Sequence, residues 1–100
     1  MAALHTANKY RFADAALRRK LKAMDYRDSA RKAAKVLRSP TSHQQRMKLG
    51  YLLNSIHRMG PRRIRQLCRD AGVPSGFLQR RLSELTDRQR EALGWRLESL

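Results

Sequence analysis

Cysteine is nearly absent: Cys68 stands alone, which excludes an internal disulfide framework and a cysteine-rich zinc site. Long apolar runs are missing too, none approaching the roughly 20 residues that span a bilayer. Met1 to Tyr10 lacks a signal peptide's apolar core, so a cytoplasmic, reducing setting is expected. No stretch alternates with period two, which argues against strands. Acids are scarce, eight against 23 lysines and arginines. The histidines His5, His43 and His57 share no metal-ligand spacing. No serine–histidine–acid or paired-carboxylate constellation is discernible. The reading is therefore a non-enzyme with no metal and no cofactor.

What remains is charge and helical periodicity. The formal net charge is +15 over 100 residues, a self-repulsion that a polyanionic partner relieves. Hydrophobic residues make up 41% of the chain, enough for one modest core in a single domain. The sequence divides into a flexible tail over 1–8, basic helices over 9–40 and a compact module over 41–100. In the first helix Tyr10, Ala13, Leu17, Leu21 and Met24 mark the inner face, with Arg11, Arg18, Arg19, Lys20 and Lys22 elsewhere. Asp25 to Ser29 holds capping residues. A second helix then runs from about Ser29 to Arg38, with Tyr26, Ala30, Ala33 and Leu37 inward and Arg27, Arg31, Lys35 and Arg38 on one side.

Ser39-Pro40 stops that helix. Thr41 with Gln44 forms a capping box, and a short helical turn is expected before a helix over Met47 to Arg58. There Leu49, Leu52, Leu53 and Ile56 recur at helical spacing. His57-Arg58-Met59-Gly60-Pro61-Arg62-Arg63 reads as a tight turn into another helix. Gly60 can take φ > 0 with no steric cost, and Pro61 suits the first helical position. Ile64, Leu67, Cys68 and Ala71 form that helix's buried face, and burial makes Cys68 a core residue. Ala71 to Gly76 is a loop. Thr86 with Gln89 is a second capping box, opening a last helix to about Glu98. Leu93, Leu97 and Leu100 form its inward stripe, with Ala92 and Trp95 alongside. Trp95 and Phe77 are expected in the core, Phe77 with the further potential of a wedge between base steps. The fold class is all-α, about five helices.

Residues 1–40 hold eleven lysines and arginines against three acids, whereas residues 83–100 hold three against four. The basic surface therefore belongs to the first helices and the central turn. Backbone N–H groups at Gly60 and the flanking Arg62, Arg63 and Arg65 make that turn a candidate phosphate site.

Met47-Lys48-Leu49, Leu52-Leu53, Gly60, Arg80-Arg81-Leu82 and Leu85 through Leu93 resemble the actinobacterial integration host factor family. The likeness spans about Leu17 to Leu97 and is strongest over Met47 to Leu93. It implies a helix–two-turn–helix module after basic N-terminal helices, binding duplex DNA with little sequence preference. Carried across, Gly60 is the turn glycine, Arg80 and Arg81 form the arginine pair before the last helix, and Arg18, Arg19 and Lys22 lie near the second contact. Ser83 and Pro61 stand where the family has basic residues, and the loop before Arg80 is longer, as in a divergent paralogue or phage-borne copy. The implied setting is the bacterial nucleoid, with a recombinase or another nucleoid protein as a possible protein partner and no membrane. The alternative is an RNA-binding or ribosomal protein, because a small-subunit ribosomal protein uses the same module. A third reading has the basic helices meeting an acidic protein or an anionic membrane surface.

Overall fold

The computed structural model describes the backbone of residues 2–100 and the side chains from Lys9 onward. Five α-helices make up the fold: α1 (Ala2–Ala23), α2 (Tyr26–Arg38), α3 (Leu49–Ser55), α4 (Pro61–Ala71) and α5 (Asp87–Glu98). Three 3-10 turns, Gln44–Arg46, Ser75–Gln79 and Leu82–Glu84, join them. The class is all-α, and no strand is present among the described residues. None of these helices is long and apolar enough to cross a membrane.

Helix α1 begins at Ala2, ahead of the Lys9 onset expected from the sequence and within the stretch read as a tail. Ala2, Ala3, Leu4 and Ala7 are strong helix formers, so the backbone continues through them. Met1 lies outside the described residues. Leu21 is buried, with Leu17 packed against the core beside it. Asp25 then opens α2, its carboxylate accepting from the Asp28 N–H at 2.8 Å. That cap starts α2 three residues before Ser29.

Helix α2 is the centre of the molecule. It buries Ser29, Ala30, Ala33, Ala34, Val36 and Leu37, and its small residues let α5 come close. A Cβ added at Gly94 of α5 would lie 3.2 Å from Arg38 Nε and 3.6 Å from the Ala34 carbonyl oxygen. Helix α5 buries Leu93, Gly94 and Leu97 against this face, and α4 packs on its other side. The Thr86–Gln89 capping box is formed, and so are both bonds of the Thr41–Gln44 box.

Two expectations for α5 need correction. Trp95 is 57% exposed and Leu100 is 43% exposed. Trp95 follows the buried Leu93 by two residues, about 200° around the helix, so both cannot face α2. Leu100 lies beyond the helix end at Ser99. Phe77, in contrast, packs against the core as a partly buried residue.

The segment expected as one helix over Met47 to Arg58 is shorter. Met47 and Lys48 are extended, and α3 runs only from Leu49 to Ser55. Ile56 leaves the helix in an extended conformation. The left-handed residue of the following turn is Arg58, at φ 62, not Gly60. Gly60 takes φ −88, ψ 174 as the N-cap of α4. The physical reason is burial: Ile56 and Met59 both enter the core, and reversing the chain at exposed Arg58 allows that. Pro61 is the first residue of α4 as expected. Gly72 closes α4 at φ +71, and Val73 donates to the Cys68 carbonyl at 2.8 Å before burying its own side chain, a glycine-terminated helix end.

Candidate nucleic-acid interface

The sequence places Arg80 and Arg81 some thirty residues from Lys48, and the fold sets them side by side. The Leu49 N–H donates to the Arg80 carbonyl at 2.9 Å, and the Leu82 N–H donates to the Met47 carbonyl at 2.9 Å. Lys48 and Arg81 thereby form an antiparallel bridge. Lys48 and Arg81 stand directly opposite each other, so their side chains share one face of this short ribbon. Met47, Leu49 and Leu82 point into the core, while Lys48, Arg80 and Arg81 are exposed. The ribbon is held from behind by the Ser75–Gln79 turn packed on α3. A Cβ at Gly50 would sit 2.9 Å from the Leu78 carbonyl oxygen, so glycine is what permits the approach. Arg80 lies over the Phe77 ring, 4.4 Å from its centroid, a cation–π contact that orients its guanidinium.

At the start of α4 the chain divides the arginines expected to act together. Gly60 offers no side chain to cap the helix, so the first-turn N–H groups lack an intrahelical or side-chain acceptor. Arg62 is exposed beside them. Arg63 turns away and lies over the Tyr26 ring at 5.1 Å. Arg65 joins Arg69, which the sequence reading passed over, along a shallow hollow against Val73, Pro74 and Ser75.

The N-terminal cations also separate. Arg18 lies over Tyr51 of α3 at 5.4 Å, which ties α1 to the element that follows the Lys48–Arg81 ribbon. Arg19 and Lys22 are exposed. Lys20, Lys32 and Lys35 converge on a hollow between α1 and α2 that also includes Thr41 and Gln44. Helical spacing alone gave no sign of that cluster, because it combines two helices. Arg38 leaves the basic face altogether: it binds Glu91 at 3.0 Å and also pairs with Glu98. Its role is to join α2 to α5.

The acids are largely committed to the scaffold. Asp25 caps α2, Asp70 accepts from Gln66 at 2.8 Å, Asp87 pairs with Arg90, and Glu91 and Glu98 hold Arg38. Among the described residues no lysine or arginine besides Arg38 and Arg90 has a carboxylate within ion-pairing distance. Burial raises the Asp14 carboxyl above its ordinary range, with His43 partly opposing. Burial likewise raises the Cys68 thiol, which keeps it protonated and inert. Among the described residues no three His, Cys, Asp or Glu side chains converge as metal ligands.

Neither a family model, nor a curated protein, nor a solved structure matches the chain. The chemistry of the surface is what bears on function. Exposed guanidinium forks and ammonium groups, unpaired with acids, suit phosphate oxygens.

Proposed function

We propose that this chain binds duplex DNA largely without regard to sequence, as a nucleoid-associated protein of the integration-host-factor type carrying a helix–two-turn–helix module. The observation that carries the reading is the Lys48–Arg81 bridge, which presents Lys48 and Arg81 side by side with Arg80 exposed next to them, all without acidic neighbours in ion-pairing contact. Arg62 and the open first turn of α4 supply a further contact to the phosphate backbone. Binding energy comes from phosphate neutralisation and counterion release. Specific base-edge readout needs side chains seated in a groove at fixed positions, whereas flexible cations on several elements favour backbone recognition.

Arg19, Lys22 and the lysine cluster between α1 and α2 form a second basic surface. Engaging both surfaces at once bends one duplex or bridges two. Such a protein works by binding and has no catalytic role. Its setting is the nucleoid, and a recombinase or another nucleoid protein is the natural partner on the DNA.

Fluorescence anisotropy with an unrelated DNA duplex and a matched RNA duplex, each at several salt concentrations, tests the proposal. Tight DNA binding is expected, with log K falling by about 0.9 per decade of salt for each phosphate neutralised. Equal or tighter RNA binding would move the protein to the ribosomal class. Absence of binding to either at low salt would overturn the nucleic-acid reading.

A further inference from the structure

A groove between α4 and α5 lies outside all of the cations assigned to DNA except Arg63. One end is a hollow of about 440 Å³ lined by Met59, Leu67 and Leu100 together with Tyr26, Arg63, Asp70 and Arg96. A second hollow of about 390 Å³ continues from it, shares Asp70 and Arg96, and contains Ala92, Trp95 and Arg88. Apolar surface therefore extends from Leu100 to Trp95, and Trp95 and Leu100 are two of the large hydrophobic side chains left exposed.

The charge around this groove is mainly positive, with Arg63, Arg88 and Arg96 against Asp70 and Glu91. Glu91 is neutralised by Arg38, whereas Asp70 accepts only from the neutral Gln66 amide and keeps its charge among the groove's three arginines. Arg63, Arg88 and Arg96 have no carboxylate in contact. Arg63 rests on Tyr26 and Arg96 on Trp95, contacts that leave guanidinium N–H groups open to an incoming anion. Nucleic acid matches the charge but not the apolar part of the lining, since phosphates offer nothing to bury against Leu67 and Leu100.

We infer that the α4–α5 groove is a docking site for an acidic amphipathic helix of a protein partner. Apolar side chains at i, i+3, i+4 and i+7 would enter the two hollows, and flanking glutamates or aspartates would meet Arg63, Arg88 and Arg96. The site is independent of the proposed DNA reading and stands or falls apart from it.

Trp95 is the single tryptophan, so its emission reports directly on the groove. The probe is a synthetic peptide with leucines at i, i+3, i+4 and i+7 and glutamates elsewhere. The control replaces each leucine by alanine at the same charge. The expected result is a blue shift of Trp95 emission with the leucine peptide, and binding about tenfold tighter than the control, equivalent to about 1.4 kcal/mol. Arg63→Glu with Arg96→Glu should remove that advantage, whereas Arg80→Ala with Arg81→Ala should preserve it. Circular dichroism of each variant verifies the fold. Leu100→Glu, at an exposed position, is the second variant and should also remove the advantage.

Equal binding of the alanine peptide would reduce the effect to general charge attraction and overturn the site. So would an unaltered leucine advantage in both groove variants. A DNA duplex that displaced the peptide with the same Trp95 shift would assign the groove to nucleic acid and overturn it as well. Loss of DNA binding with the peptide response intact would overturn the proposed function and leave this site standing.

Discussion

The backbone N–H of His57 donates to the Ser29 hydroxyl at 3.1 Å, and that hydroxyl donates in turn to the Leu21 carbonyl at 2.8 Å. One fully buried serine thus joins the end of α1, the first turn of α2 and the turn that leads into α4.

Ser29→Ala leaves the His57 N–H and the Leu21 carbonyl without that partner. The expected loss is about 1–3 kcal/mol of stability, read as a lower urea midpoint with an unchanged slope. Cysteine at this position should recover little, because a thiol is a weak donor and acceptor.

Arg80→Ala with Arg81→Ala should weaken binding to every DNA duplex tested. The salt dependence should flatten by about 0.9 for each phosphate contact removed. Thermal unfolding should be little altered, since both side chains are exposed and outside any ion pair. Arg38→Ala should do the reverse: it breaks the Glu91 and Glu98 pairs and lowers the unfolding midpoint while DNA affinity holds.

Gly50→Ala should be harmful and Gly60→Ala mild. A methyl at Gly50 meets the Leu78 backbone oxygen at 2.9 Å, an overpacking that costs about 1–3 kcal/mol. It also loosens the turn behind Arg80, so DNA affinity should fall with stability. A methyl at Gly60 meets nothing within 4 Å, and φ −88 suits any residue. The expected cost is below about 1 kcal/mol, from the poorer N-cap.

Asp14→Asn should stabilise the protein near neutral pH. Burial raises the folded carboxyl's pKa despite His43, so folding favours the protonated form. The associated stability is fully present below the unfolded-state value of roughly 3.9. It is lost as the pH rises through the folded one. Urea midpoints across that window should show the variant's advantage over the parent shrinking as the pH falls. A constant gap would mean that the difference comes from packing and not from charge.

Local chemistry made several features of this chain legible without coordinates. The all-α class, the two capping boxes, Pro61 at the start of α4 and the inward stripes of α2 and α4 all follow from contacts a few residues apart. Helical period and cap hydrogen bonds act over that range, so the amino-acid order is enough. The excess of positive charge needs no fold either.

Other features depended on which elements met. Arg38 looked like one member of a basic stripe until α5 brought Glu91, 53 residues away, into contact. Trp95 looked like core until Leu93 and Leu97 took the α2-facing side of their helix. Gly60 could take the left-handed conformation at no steric cost, but burying Ile56 and Met59 moved that conformation to Arg58. Lys48 gained its significance from a bridge to Arg81 that no spacing within α3 encodes. Sequence by itself determined the helices and the sign of the surface. Tertiary structure decided which cations are left exposed and grouped, because pairing and burial are settled by neighbours distant in the chain.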